Sequence, residues 1–168
     1  MNDVTVPDDA AERIRQFLAD LAERKRSRGH PDVSYEALLL YGRSYQNRPR
    51  PKGLRKWAYK RCYLNTALVV ADSLAQRPGG GGVGPLVYVE GFASTSRSEV
   101  EHAWAADRDG NVVDVTWKFD PSAGYFGIPF RFDCVRTLMR CGTMSPLLGW
   151  WNRDVLARDP SEWVHEWT

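Results

Sequence analysis

Apolar positions after residue 62 recur at helical spacing: Leu64, Ala67, Leu68, Ala71, Leu74 and Ala75 fall at i, i+3, i+4, i+7, i+10 and i+11. That period predicts an amphipathic helix over residues 62–76 with Cys62 in its first turn. Two shorter helical patterns precede it. Ile14, Phe17, Leu18 and Leu21 make a narrow stripe behind the acidic start Pro7-Asp8-Asp9, and the charged run 23–28 with Gly29 reads as its solvated end. Ser34 is an N-cap candidate for a helix running through Tyr41 and stopping at Gly42. Residues 86–90, Leu-Val-Tyr-Val-Glu, are apolar enough for a central strand, and the Ser/Thr-rich stretch 92–100 reads as a link out of it. Residues 130–132 suggest a further strand and 133–140 a short helix. Two C-terminal helices, over 146–156 and 160–167, would carry Trp150, Trp151, Trp163 and Trp167 as cover for the core.

Residues 103–107 and 111–116 read as the arms of a β-hairpin around Arg108-Asp109-Gly110. A three-residue loop closes with its last residue in the left-handed region, where glycine costs least, and Gly110 holds that place. The loop fixes the register. Asp107 then pairs with Asn111, Trp104 lies opposite Asp114, and His102 points to the same face diagonally across the pair, within side-chain reach of the carboxylate. A two-residue turn would put His102 and Asp114 on opposite faces.

Composition changes this picture little. With 168 residues, 43% hydrophobic, 26% charged and a net charge of +2, the chain reads as one globular domain that needs no metal or disulfide, and its charge alone does not argue for nucleic acid. No run of eighteen apolar residues and no leader at Met1 is visible, so neither a membrane partner nor secretion is expected and the cytoplasm is the expected compartment. Cys62, Cys134 and Cys141 form no Cys-x-x-Cys and leave an odd thiol, as reduced cysteines do. Cys134 and Cys141 read as core, and a zinc site built from them and His102 lacks ligand spacing, so neither a metal nor a cofactor is expected. Residues 77–85 are glycine-rich, but no Gly-Lys-Ser/Thr follows, so they read as a loop and not as a phosphate cradle.

The chemistry centres on Cys62. A thiol at a helix N-terminus feels the partial positive charge of unpaired N–H groups, and Lys60 and Arg61 add full cations; both favour the thiolate that attacks carbonyl carbon. Upstream, the seven cations from Arg48 to Arg61 are interrupted by no acid. They form either a solvated approach loop or a cleft rim, with Arg50, Lys52, Arg55 and Lys56 drawing in an acidic substrate segment or a phosphate. Trp57, Tyr59 and Tyr63 are interleaved with them, and either pack the helix start or stack on a ligand.

Cysteine at a helix start, then histidine, then aspartate on adjacent strands resembles the papain-like superfamily in its transglutaminase-like branch. The resemblance lies in residues 60–67, Lys-Arg-Cys-Tyr-Leu-Asn-Thr-Ala, and in His102-Ala103-Trp104 followed by Asp114-Val115-Thr116-Trp117, where Val115 stands in the family's usual proline position. Residues 86–91 and 125–130 resemble small bacterial and phage-type members more than large animal transglutaminases. The resemblance covers about residues 60–130 and implies an α+β, papain-like domain: an N-terminal helical part with the basic loop (1–59) and a C-terminal helical part (131–168) around a catalytic core with a small antiparallel sheet. It implies a Cys62-His102-Asp114 triad, with Cys62 as nucleophile, His102 as base and then acid, and Asp114 holding the imidazole. It implies also an oxyanion donor upstream of Cys62, for which Gln46 and Trp57 are candidates, and places Tyr63 and Trp104 on the substrate rim. The expected activity is cleavage of a protein or peptide amide or isopeptide through a thioester. Amine transfer is the alternative, and so is an idle fold that binds protein or nucleic acid through its basic rim. Glu90 and Glu101 read as strand-end or rim charges.

Overall fold

The computed structural model describes residues 9–75, 84–96, 98–140, 146–149 and 153–167. The expectations for residues 77–83 of the glycine-rich loop, for Cys141 and for Trp150 and Trp151 lie outside these residues. Three helices and a short strand lead in: α1 (Asp9–Ser27), α2 (Val33–Tyr41), β1 (Arg43–Tyr45) and α3 (Cys62–Ala75). Then come β2 (Val87–Ser94), β3 (Glu99–Ala106), β4 (Val112–Val113) and β5 (Tyr125–Phe130), followed by α4 (Phe132–Arg140), α5 (Arg153–Leu156) and α6 (Pro160–Trp163). The strands form one antiparallel sheet in the order β1-β5-β2-β3-β4, so the fold is α+β with β2 at its centre.

The alternation of the strands divides the core into two faces. Tyr88, Phe92, Ala103, Ala105, Val113, Phe126, Ile128 and Phe130 meet Ile14 and Leu18 of α1, Leu38 of α2 and Ala67 and Val70 of α3. Tyr45, Val89, Trp104, Ala106, Val112 and Tyr125 point the other way and are covered by Trp117 and Trp167. Ile14 and Leu18 are fully buried, each contributing about 2 kcal/mol by removal from water.

Several boundaries differ from the expected ones, each for a local reason. The N-cap of α2 is Asp32, whose carboxylate accepts the Ser34 N–H at 3.1 Å, while the Ser34 hydroxyl donates instead to the Leu148 carbonyl at 2.6 Å. The supposed link after β2 is a hairpin: β2 runs on to Ser94, and the Thr95 N–H bonds the Ser98 carbonyl before β3 begins. The strand expected at 130–132 lies earlier, at Tyr125–Phe130, and Phe132 already opens α4. The C-terminal segments are single helical turns, with 146–149 in a turn. Trp163 is core, whereas Trp167 stacks on the Arg43 guanidinium at 4.5 Å.

Glu90 is the largest departure. It is no strand-end charge but a fully buried carboxylate in the middle of β2, accepting the Tyr88 hydroxyl at 2.7 Å and the N–H groups of Leu147 and Leu148 at 2.9 and 3.0 Å. Burial raises its pKa to about 7 against the lowering effect of those hydrogen bonds. Glu101, by contrast, is exposed.

Candidate active site

The α3 helix begins at Cys62. The Arg61 carbonyl accepts the Asn65 N–H at 2.8 Å, which makes Arg61 the cap and Cys62 the first helical residue, its own N–H free of any helical partner. The chain enters this start through Lys60 in the left-handed region, φ 63°. Two polar side chains on the buried side of the first turns pin the helix to the sheet. Asn65 donates to the Ala58 carbonyl at 2.7 Å and to the Thr116 hydroxyl at 3.1 Å, and Thr66 donates to the carbonyl of Ala103 at 3.1 Å. Because Ala103 follows His102 and Thr116 lies two residues past Asp114, these bonds set Cys62 against the His102–Asp114 pair. The thiol is half-buried and within hydrogen-bond reach of the imidazole.

The hairpin that carries the pair has the three-residue register: Ala105 pairs with Val113 and Ala106 with Val112, the Asp107 N–H meets the Asn111 carbonyl at 3.1 Å, and Gly110 has φ 78°. The outgoing strand is shorter than expected. It ends at Val113 because the Asp114 carboxylate folds back on its own chain, accepting the Thr116 and Trp117 N–H groups at 2.7 and 3.0 Å on Oδ1 in an Asx turn. Oδ2 is left for His102 Nε2 at 2.7 Å and the Tyr125 hydroxyl at 3.2 Å. The carboxylate thus takes four donors, and their hydrogen bonds hold it below the usual range although burial pushes the other way.

His102 is buried, and its ring lies against the Trp117 indole with centroids 4.1 Å apart and planes 21° from parallel. Burial alone would lower its pKa; the hydrogen bonds to Asp114 and Cys62 and the charges behind them outweigh it and lift the group to about 9. These partners therefore favour the protonated imidazole. With Nε2 held by Asp114, Nδ1 is the nitrogen left for the thiol. Cys134 lies apart from this group: burial raises its pKa, and its thiol points at the Glu162 carbonyl, 3.6 Å away.

Not every expected residue joins the site. Gln46 bridges Asn111 at the hairpin turn and its side-chain oxygen accepts Arg48 Nη2 at 3.0 Å, so the amide belongs to the far end of the hairpin and is not an oxyanion donor for Cys62. Trp57 does pass the site, its N–H bonded to the Val115 carbonyl at 2.7 Å beside the start of α3. Trp104 is fully buried between Tyr45 and Tyr125 and cannot touch a substrate. Arg50 is half-buried and donates to the Leu54 and Asp114 carbonyls at 3.0 and 3.3 Å, which leaves its other N–H groups and its charge uncompensated. Lys52, Arg55 and Lys56 are exposed and Tyr63 is half-buried next to Cys62. Among the described residues no group of His, Cys, Asp and Glu could hold a metal, and no helix is long and apolar enough to cross a membrane.

Asn65, Thr66, Thr116 and Tyr125 hold the site without having been singled out from sequence. Asn65 left a trace, as an amide three residues past Cys62, and Thr116 another, as the hydroxyl two residues past an aspartate. Tyr125 left none, since it arrives from the neighbouring region of the sheet. No protein-family model, curated protein or solved structure matches the chain.

Proposed function

We propose that the protein is a thiol-dependent acyl-transfer enzyme of papain-like, transglutaminase-like character that cleaves a peptide or isopeptide amide. The observation that carries this reading is the buried His102–Asp114 hydrogen bond of 2.7 Å set against Cys62 at an open helix N-terminus. A lone buried histidine or cysteine has many structural uses. A carboxylate with four donors, orienting an imidazole whose other nitrogen is left for a thiol, is built for proton transfer.

In this scheme the Cys62 sulfur attacks the amide carbonyl carbon, and the carbonyl oxygen takes up the negative charge beside the free Cys62 N–H, with the Trp57 indole as the second donor candidate. Protonated His102 gives its proton to the leaving nitrogen; the C–N bond breaks and the thioester remains. Water, deprotonated by the now neutral His102, attacks the thioester, and the sulfur leaves as thiolate while the imidazole is again protonated. Hydrolysis is the preferred outcome. An amine in place of water would give transamidation by the same steps.

The test is alkylation by iodoacetamide followed by mass spectrometry of the modified peptides. We expect the adduct at Cys62 to form well before that at Cys134, and His102→Ala to slow it at neutral pH. Equal rates at the two thiols, or a rate indifferent to His102, would remove the basis for the proposal.

A further inference from the structure

Behind the Asp114–Trp117 turn lies a solvent-open cleft that neither Cys62 nor His102 lines. Its walls bring together four cations from two separate stretches: Arg48, Arg50 and Lys56 on one loop, and Lys118. Among the described residues Arg48 bonds only the Gln46 and Asn111 side-chain oxygens, at 3.0 and 3.4 Å, and Arg50 only backbone carbonyls. Those acceptors are neutral, so they orient the guanidinium groups without cancelling their charge. Among the described residues none of the four cations forms an ion pair. The one acid on the cleft wall, Asp114, is already committed to His102, and nearby Asp120 turns its carboxylate to the Ser122 hydroxyl and N–H. Phe119, 41% exposed, stands at the lip, and Trp117 forms a wall with the indole that also lies on the catalytic imidazole.

Uncompensated charge converging on a concavity differs from a solvated basic loop, whose cations diverge into water. Lys52 and Arg55, on the same loop, do not line the cleft, whereas Lys118, more than sixty residues further along, does. We propose that this cleft receives a carboxylate-bearing residue of the peptide substrate, so that the enzyme prefers acidic sequence near the amide it cleaves; this rests on the reading of Cys62 as the nucleophile. Two guanidinium groups already held by neutral acceptors can meet a carboxylate at little further ordering cost, and the two lysines add attraction over a longer range. Trp117 and Phe119 offer apolar surface for the methylene stem of a glutamate.

The probe is a fluorescent twelve-residue peptide rich in glutamate, with its glutamine counterpart, titrated by anisotropy against the Cys62→Ala protein. The acidic peptide should bind, its affinity should fall as salt rises, and the glutamine peptide should bind at least tenfold more weakly. Arg48→Gln with Lys118→Gln should weaken the acidic peptide by about tenfold or more, and Lys52→Gln with Arg55→Gln by less than about twofold. Lys118→Glu alone breaks no hydrogen bond and guards against a folding defect in the double variant; it too should weaken binding. With Cys62 present, the bound peptide should slow iodoacetamide alkylation. Equal loss from the two double variants, equal binding of the glutamine peptide, or binding that leaves Cys62 alkylation unchanged would each overturn the assignment. Alkylation of Cys62 without peptide reads the nucleophile by itself, so failure of the cleft and failure of the acyl-transfer reading give different results.

Discussion

Replacing Asp114 by asparagine tests the site most sharply, because the change is nearly isosteric and its effect can be followed donor by donor. The asparagine oxygen can keep the Thr116 and Trp117 N–H groups at 2.7 and 3.0 Å, so the turn should survive. The amide nitrogen then faces His102 Nε2 and the Tyr125 hydroxyl, where Oδ2 had accepted at 2.7 and 3.2 Å, and a donor meets a donor. The imidazole must turn its lone pair to Nε2 and carry its proton on Nδ1, toward the sulfur, which is the wrong tautomer for taking the thiol proton. His102 also loses much of what lifts its pKa to about 9. A rise from 6.5 to about 9 stabilises the folded state by roughly 2 kcal/mol at pH 7.5, shared between Asp114 and Cys62. Asp114→Asn should therefore cost up to about 2 kcal/mol in urea denaturation. Turnover should fall by as much as roughly 10⁴-fold, and less if the cysteine starts as thiolate. Iodoacetamide alkylation of Cys62 at pH 6.5 measures the effect without a substrate and should slow by about tenfold or more. Asp107→Asn is the control: that carboxylate accepts the Asp109 and Asn111 N–H groups in the turn and should leave alkylation nearly unchanged. If Asp114→Asn alkylates like the parent while Asp107→Asn is crippled, the assignment of the third member of the site is wrong.

Three further outcomes follow from the same geometry. Glu90 and His102 both have folded pKa values above their unfolded ones, so each contributes stability that is full below about 4.5 and 6.5 respectively and is lost as pH rises through about 7 and 9, by about 3 kcal/mol apiece. The urea midpoint should accordingly decline from pH 5 to 9, with Glu90→Gln flattening the lower part of that slope; a midpoint that rises over this range contradicts the burial argument. Gly127→Ala puts a methyl 2.5 Å from the Glu90 carbonyl oxygen and 2.7 Å from the Trp104 indole, and should lower stability by about 3 kcal/mol in thermal or urea melts; a neutral result would mean the sheet can shift there. Asn65→Ala leaves the Ala58 carbonyl and Thr116 hydroxyl without their donor, for a loss of about 2 kcal/mol and slower Cys62 alkylation, whereas Asp72→Ala on the exposed face of the same helix should change neither.

The parts of the site legible in the sequence are those governed by local rules. The apolar spacing after residue 62 placed a helix with Cys62 first, but not its buried face: Asn65, Thr66, Val69, Val70 and Ser73 turn inward with Ala67, while Leu74 of the expected stripe is exposed; Gly110 dictates the turn that puts His102 and Asp114 on one face. Failures came where a side chain's surroundings are set by distant chain. Trp104 belongs to the core because Tyr45 and Tyr125 close over it from two other strands. Gln46 was taken out of reach by its pairing with Asn111. The β1 strand is three residues long, too short to leave a periodic signal, and Asp32 outcompeted Ser34 as a cap because the serine hydroxyl had a better acceptor in Leu148, 114 residues away. Glu90 hides in an otherwise apolar run, where only the N–H groups of Leu147 and Leu148 explain it.

His102 and Asp114 stand twelve residues apart within one hairpin, while Cys62 comes from a helix forty residues upstream that is held to the sheet through Asn65 and Thr66. During folding, a hairpin of this length closes in microseconds, whereas docking α3 requires closing a far longer loop. The acid–base half of the site can thus form before the sulfur reaches it, and a chain still on its way to the native state carries a thiol with no imidazole beside it. On the acyl-transfer reading proposed above, that order leaves half-folded chains without the means for misplaced transfer. Pulsed alkylation during refolding should find fast Cys62 labelling only with the last kinetic phase; fast labelling within the dead time would show that helix and hairpin meet at once.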